Sequence, residues 1–82
     1  MTATVIPFED IAARTRAAVA RYFGRDVTTI TDELDIFDDL GADSLEHTDL
    51  CIAVETALNR EIDPLASINT VGDLVAAVGG RT

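Results

Sequence analysis

One hydroxyl sits among four carboxylates in the stretch Asp38-Asp39-Leu40-Gly41-Ala42-Asp43-Ser44-Leu45-Glu46. Serine becomes a nucleophile only when a base takes its proton, and no base adjoins Ser44. His47, the chain's only histidine, lies roughly one turn further along the same helix face. That spacing does not imply a Ser-His-Asp arrangement. A serine at the start of a helix can instead be acted upon by another enzyme that brings its own base. Gly41 permits the turn that brings the chain round, and Ser44 stands where an N-cap would stand, one residue before an apolar periodic run. Unpaired N–H groups and partial positive charge at a helix start favour a phosphate ester there. With no modification, Ser44 would be a plain cap worth about 1 kcal/mol.

Other reactive residues read as structural. His47 is taken as a partly exposed polar residue rather than a base or metal ligand. Cys51 falls on an apolar helix stripe and reads as a small buried hydrophobe. Asp35 to Glu46 has the length of an EF-hand calcium loop, but Phe37 and Leu40 stand where an oxygen ligand and the required glycine belong. No metal site and no catalytic residue are expected.

The helices that place Ser44 follow from periodicity. Ile11, Thr15, Ala18, Val19, Tyr22 and Phe23 predict a first helix from about Phe8 to Phe23, with residues 1 to 7 as a lead-in, Pro7 at its start and Gly24 as its stop. A long connection over 25 to 43 carries its own anchors, Val27, Ile30, Leu34, Ile36, Phe37 and Leu40, so it is expected to be ordered. Thr31 is placed to cap a single turn there. The second helix is predicted from Ser44 to about Asn59. Leu50, Cys51, Val54, Ala57 and Leu58 face the core; Leu45, Thr48 and Ile52 form a mixed stripe beside Glu46, Asp49 and Glu55. Asp63-Pro64 breaks the pattern, leaving a short helical turn over Leu65 to Ile68. Thr70 caps a last helix from Val71 to about Val78, ended by Gly79-Gly80. The expected fold is all-α: a four-helix bundle of three longer helices and one short helix, with a long first loop. It forms a single domain over 1–82, with a core of about 8–79.

Composition narrows the function. The chain has 82 residues and a net charge of −9, and its basic residues are all arginine. None lies between Arg25 and Arg60, an interval that holds Asp26, Asp32, Glu33, Asp35, Asp38, Asp39, Asp43, Glu46, Asp49 and Glu55. Such a field repels nucleic acid and anionic membranes and attracts basic protein surfaces. A single cysteine excludes an internal disulfide, and no signal peptide or membrane-length apolar run is read. A cytoplasmic monomer that neither binds nucleic acid nor inserts into membranes is expected.

Asp39-Leu40-Gly41-Ala42-Asp43-Ser44-Leu45 resembles the attachment motif of acyl carrier proteins, and the order of helices fits that family over roughly residues 8 to 79. The resemblance implies that Ser44 receives 4′-phosphopantetheine from coenzyme A through a phosphopantetheinyl transferase. It implies that Asp43 helps hold magnesium during the transfer. Acyl groups would then ride on the arm's thiol. Leu45, Glu46, Asp49, Ile52 and Glu55 would dock acyl-transferring or ketosynthase-type enzymes through their basic patches. The chain departs from the family at Thr56 and Ala57, where an acidic run is common, and in the short Ile62–Ile68 connection with Asp63-Pro64 in reversed order. These departures suit a free-standing carrier of one specialised pathway among fatty acid, polyketide or related biosynthesis. Two alternatives stay open: an aminoacyl or peptidyl carrier, and an unmodified acidic interaction module with Ser44 only as a cap. Small residues at Ala53 and Ala57 leave room for an acyl chain between helices.

Overall fold

The structure, a computed structural model, describes residues 7–80; all of the expected lead-in but Pro7 lies outside them. Three α-helices form: α1 (Phe8–Phe23), α2 (Ser44–Leu58) and α3 (Val71–Gly79). The Pro7 carbonyl accepts the Asp10 and Ile11 N–H groups in the first turn of α1, and Gly24 ends that helix in the left-handed region at φ 65°. Asn59 closes α2 in the same way at φ 53°. Thr70 caps α3, and its partner Asp73 completes a reciprocal capping box.

The core is one cluster. Ile11, Thr15, Ala18 and Val19 of α1 meet Leu50, Val54 and Leu58 of α2 and Val71, Leu74, Val75 and Val78 of α3. The long connection is ordered, as its anchors predicted. Ile30, Ile36 and Leu40 are buried, and its backbone is laced to the start of α3 by Ile36 N–H to Asn69 O (2.8 Å), Val71 N–H to Leu34 O (2.9 Å) and Gly72 N–H to Asp32 O (2.9 Å). These bonds include one isolated antiparallel bridge, Asp35 to Thr70; no strand forms among the described residues.

Three expectations need correction. The short fourth helix does not form: residues 64–65 make only a turn. There the Asp63 side chain takes the Leu65 N–H at 2.9 Å and its carbonyl takes the Ala66 N–H at 3.0 Å, which satisfies the backbone locally. Instead, a single 3₁₀ turn appears at Val27–Thr29, capped by the Asp26 carboxylate. Val27, on that turn, and Phe37 are not buried anchors: they are 46% and 36% exposed. Ala57 is exposed at the edge of the Leu50, Val54, Leu58 row, roughly 20° round the helix from Leu50 but two turns nearer the end of α2.

Candidate functional site

Ser44 opens α2, but it is not the cap. Asp43 is: its Oδ1 accepts the Glu46 N–H at 2.8 Å, while Glu46 Oε1 accepts the Asp43 N–H at 3.1 Å. The hydroxyl of Ser44 is thereby released from the capping role that sequence suggested. The residue is exposed, and no hydrogen bond among the described residues engages its hydroxyl. Its own N–H and that of Leu45 belong to the first turn, where no intrahelical carbonyl can reach them. Gly41, at φ 76°, makes the bend that sets the helix start. A phosphate ester on Ser44 fits this place: the reactive oxygen is free, the helix end is positive, and nothing crowds it.

The structure shows local duties for many of the surrounding carboxylates. Asp35 Oδ1 accepts the N–H groups of Phe37 and Asp38 at 2.9 and 2.8 Å, and Asp39 Oδ2 accepts the Asp35 N–H at 2.7 Å. Arg16 pairs with Asp32 at 2.8 Å. The acidic interval is therefore partly a set of turn braces, and no group of metal-holding side chains occurs among the described residues.

The expected docking residues share α2 but differ in setting. Leu45 and Ile52 are 81% and 53% exposed, and Glu46 and Asp49 are exposed beside them. Asp49 accepts the Tyr22 hydroxyl at 3.2 Å. Desolvation first, then this bond and the surrounding carboxylates, hold the Tyr22 phenol above its ordinary value. Glu55 is set apart: it is half-buried, and its Oε2 accepts the Ile62 N–H at 2.7 Å.

Sequence reasoning missed what His47 does. It is half-buried, its Nε2 lies 2.7 Å from the Ile68 carbonyl, and its ring stacks on Phe37 with centroids 4.8 Å apart and planes within 7°. The Ile68 contact spans 21 residues, and no local signal could have shown it. An open groove of about 980 Å³ runs from His47 and Thr48 to Asn59, between α2 and residues 60–68. Ala53 and Ala57 do not line it, so the room expected at those residues is not there. Cys51 does line it, half-buried rather than fully so, and burial followed by Glu55 pushes its thiol above the ordinary value. No helix among the described residues is long and apolar enough to cross a membrane.

Over residues 13–78 the chain matches the family model of the phosphopantetheine attachment site. It is 35% identical over 72 residues to an acyl carrier protein of Thermotoga maritima, a match covering 85% of this chain and 89% of that one. It is 37% identical over 75 residues to an acyl carrier protein of Caulobacter vibrioides, covering 89% and 96%. The chain thus belongs to the acyl carrier protein family, a family of carriers rather than catalysts whose cofactor is 4′-phosphopantetheine.

Proposed function

We propose that Ser44 is the attachment residue and that the chain is a single carrier domain over 1–82, core 8–79, serving one specialised cytoplasmic pathway of fatty acid, polyketide or related biosynthesis. The observation that carries this reading is the exposed, unengaged hydroxyl at the head of α2. The bound arm supplies a terminal thiol on which acyl groups travel as thioesters. The chain's own residues do the placing. The Asp43–Glu46 box fixes the first turn, and the N–H groups of Ser44 and Leu45 offer positive potential to the phosphodiester. Asp43 uses Oδ1 for the cap, so a magnesium ion would be met by its other oxygen. Ser44 supplies the attacking oxygen, and the phosphopantetheinyl transferase supplies the base.

Acyl-transferring and ketosynthase-type enzymes would dock on Leu45, Glu46, Asp49 and Ile52. Carboxylates steer the encounter with a basic patch, and the two exposed apolar side chains are there to be buried. Glu55 contributes charge at the far end of this face, although its carboxylate also holds Ile62.

Intact mass tests the assignment, before and after incubation with a promiscuous transferase, coenzyme A and magnesium. The wild type should gain one phosphopantetheine and Ser44→Ala none. A gain in the alanine variant would move the attachment elsewhere. No gain in a wild type known to start as the apo form would make the chain an unmodified interaction module.

A further inference from the structure

The start of α2 can be built in two ways. In the one observed, Asp43 is the cap. Its backbone is extended at φ −92° and ψ −177°, its Oδ1 accepts the Glu46 N–H at 2.8 Å, and its carbonyl accepts the His47 N–H at 2.9 Å. Ser44 is then the first helical residue, exposed, with its hydroxyl unengaged among the described residues. In the other, the cap moves one residue along. Ser44 would take the extended conformation, and its Oγ would accept the N–H of His47, three residues on. Serine and aspartate are caps of nearly equal quality, so residue type alone does not settle the choice.

Glu46 settles it. Its Oε1 accepts the Asp43 N–H at 3.1 Å, a bond that completes a capping box only when Asp43 is the cap. With Ser44 as cap, the box position falls to His47, whose Nε2 is instead 2.7 Å from the Ile68 carbonyl. The Glu46 bond therefore tilts the choice about tenfold towards the observed start, the order of effect of one hydrogen bond to a charged group.

The choice matters to the chemistry. In attachment the Ser44 oxygen bonds to the phosphorus of the phosphopantetheinyl group and the pyrophosphate bond of coenzyme A breaks. Adenosine 3′,5′-bisphosphate leaves, and the hydroxyl proton passes to the transferase's base. A capping hydroxyl is turned back over its own helix with a lone pair committed to an N–H; the first-turn hydroxyl is not. We propose that Glu46 is a positioning residue for attachment: by bonding to Asp43 it selects the helix start in which the Ser44 hydroxyl is free to attack. The proposal rests on Ser44 as the attachment residue. It gives Glu46 a role apart from its charge on the docking face. Asp49 and Ile52 lie beyond the first turn, so either start offers them to a partner, and a wrong start shows in kcat rather than in KM.

Four variants, all lacking the Glu46 carboxylate, separate the two roles. Glu46→Gln keeps the bond to Asp43, because a glutamine oxygen also serves in a capping box. Glu46→Ala loses it and leaves the two starts nearly even. Glu46→Ala/His47→Gln gives the box to Ser44. Glu46→Ala/His47→Ala removes the His47 ring without giving Ser44 a partner. In the apo chain, the carbon-13 shifts of Ser44 Cα and Cβ report its backbone. They should stay helical in Glu46→Gln, move part-way towards extended values in Glu46→Ala and in its His47→Ala double, and move furthest in the glutamine double. With a transferase, coenzyme A and magnesium, KM should rise by a similar factor in all four, since each loses the same docking charge. The kcat should stay near wild type in Glu46→Gln, fall about twofold in Glu46→Ala and its His47→Ala double, and fall roughly fivefold in Glu46→Ala/His47→Gln. Ser44 shifts that stay helical in all four variants would overturn the proposal, as would one kcat shared by all four. Failure of the wild type to load at Ser44 would instead sink the attachment reading, with the Ser44 shifts still deciding whether Glu46 sets the helix start.

Discussion

Asp43 and Glu46 each bond to the other's backbone across Ser44, at 2.8 and 3.1 Å, so the helix start is held without the serine hydroxyl. The cap and the proposed attachment point are adjacent residues with separable roles. Asp43→Ala should cost about 1 kcal/mol, the usual loss of an N-cap, and lower the melting temperature by roughly 4–8 °C for a domain of this size. Ser44→Ala should leave the melting temperature nearly unchanged, contrary to what a capping serine would give. Asp43→Asn keeps a capping oxygen and removes the charge. It should melt close to wild type yet accept phosphopantetheine more slowly at limiting magnesium. Thermal melts and attachment rates on the three variants check this.

Two glycines bear constraint for different reasons, and a second substitution separates them. Gly41 has φ 76° and open space around an added Cβ, so Gly41→Ala meets backbone strain alone, about 1–2 kcal/mol. Gly41→Asn should recover part of it, since asparagine tolerates that conformation better. At Gly79 a Cβ would come 2.5 Å from a carbon of the Phe8 ring, where α3 meets α1. Gly79→Ala should destabilise by displacing that ring. Phe8→Leu should offset part of the Gly79→Ala cost and none of the Gly41→Ala cost, as measured by a double-mutant cycle in urea.

The bond between Tyr22 and Asp49 gives the docking face an optical reporter. Tyr22 is the chain's single tyrosine and there is no tryptophan, so its ionisation can be followed by absorbance without interference. Asp49 contributes to holding the phenol above its ordinary value through both a hydrogen bond and its charge. Asp49→Asn should therefore move the Tyr22 titration downward towards the ordinary value. The same variant should slow acyl transfer to a basic partner, most visibly at low salt. A Tyr22 titration that does not move would show the bond is not held in solution.

What sequence made legible here was local, and what it missed was mostly long-range. The bounds of α1 followed from its three- and four-residue spacing and from Gly24. Thr70 announced α3 as its cap, and the structure adds Asp73, three residues on, as the other half of a capping box. Asp43 and Glu46 carry the same spacing one residue earlier than the cap that was expected. Ser44 and Asp43 are both good cap types, and only the reciprocal Glu46 bond decides between them. The buried row of α2 was visible, but its edge at Ala57 depends on how far neighbouring helices reach. The connection over 62–68 was expected to hold a short helix, but Asp63 takes two backbone N–H groups for itself, one through its side chain and one through its carbonyl, and only a turn forms. His47 could be understood only once the fold brought Ile68 to it.

Asp73 makes a prediction with a definite sign in pH. Its Oδ2 accepts the Thr70 and Asn69 N–H groups, both at 3.0 Å, and these bonds, Thr70 first, hold its carboxyl below the ordinary value. A carboxyl depressed in the folded state contributes stability above its unfolded pKa of about 3.9, and loses it as pH falls through the lower folded value. Asp26, depressed chiefly by the Thr28 N–H, titrates on the same side, so the wild-type acid melt alone does not isolate Asp73. The difference between wild type and Asp73→Asn does. That variant should melt lower than wild type by a constant margin from neutral pH down to about pH 5. The margin should narrow as the pH drops below about 4, where the unfolded carboxyl takes up its proton first and the native one follows at its lower value. A margin that stays constant through that range would mean the α3 cap does not depend on the charge of Asp73.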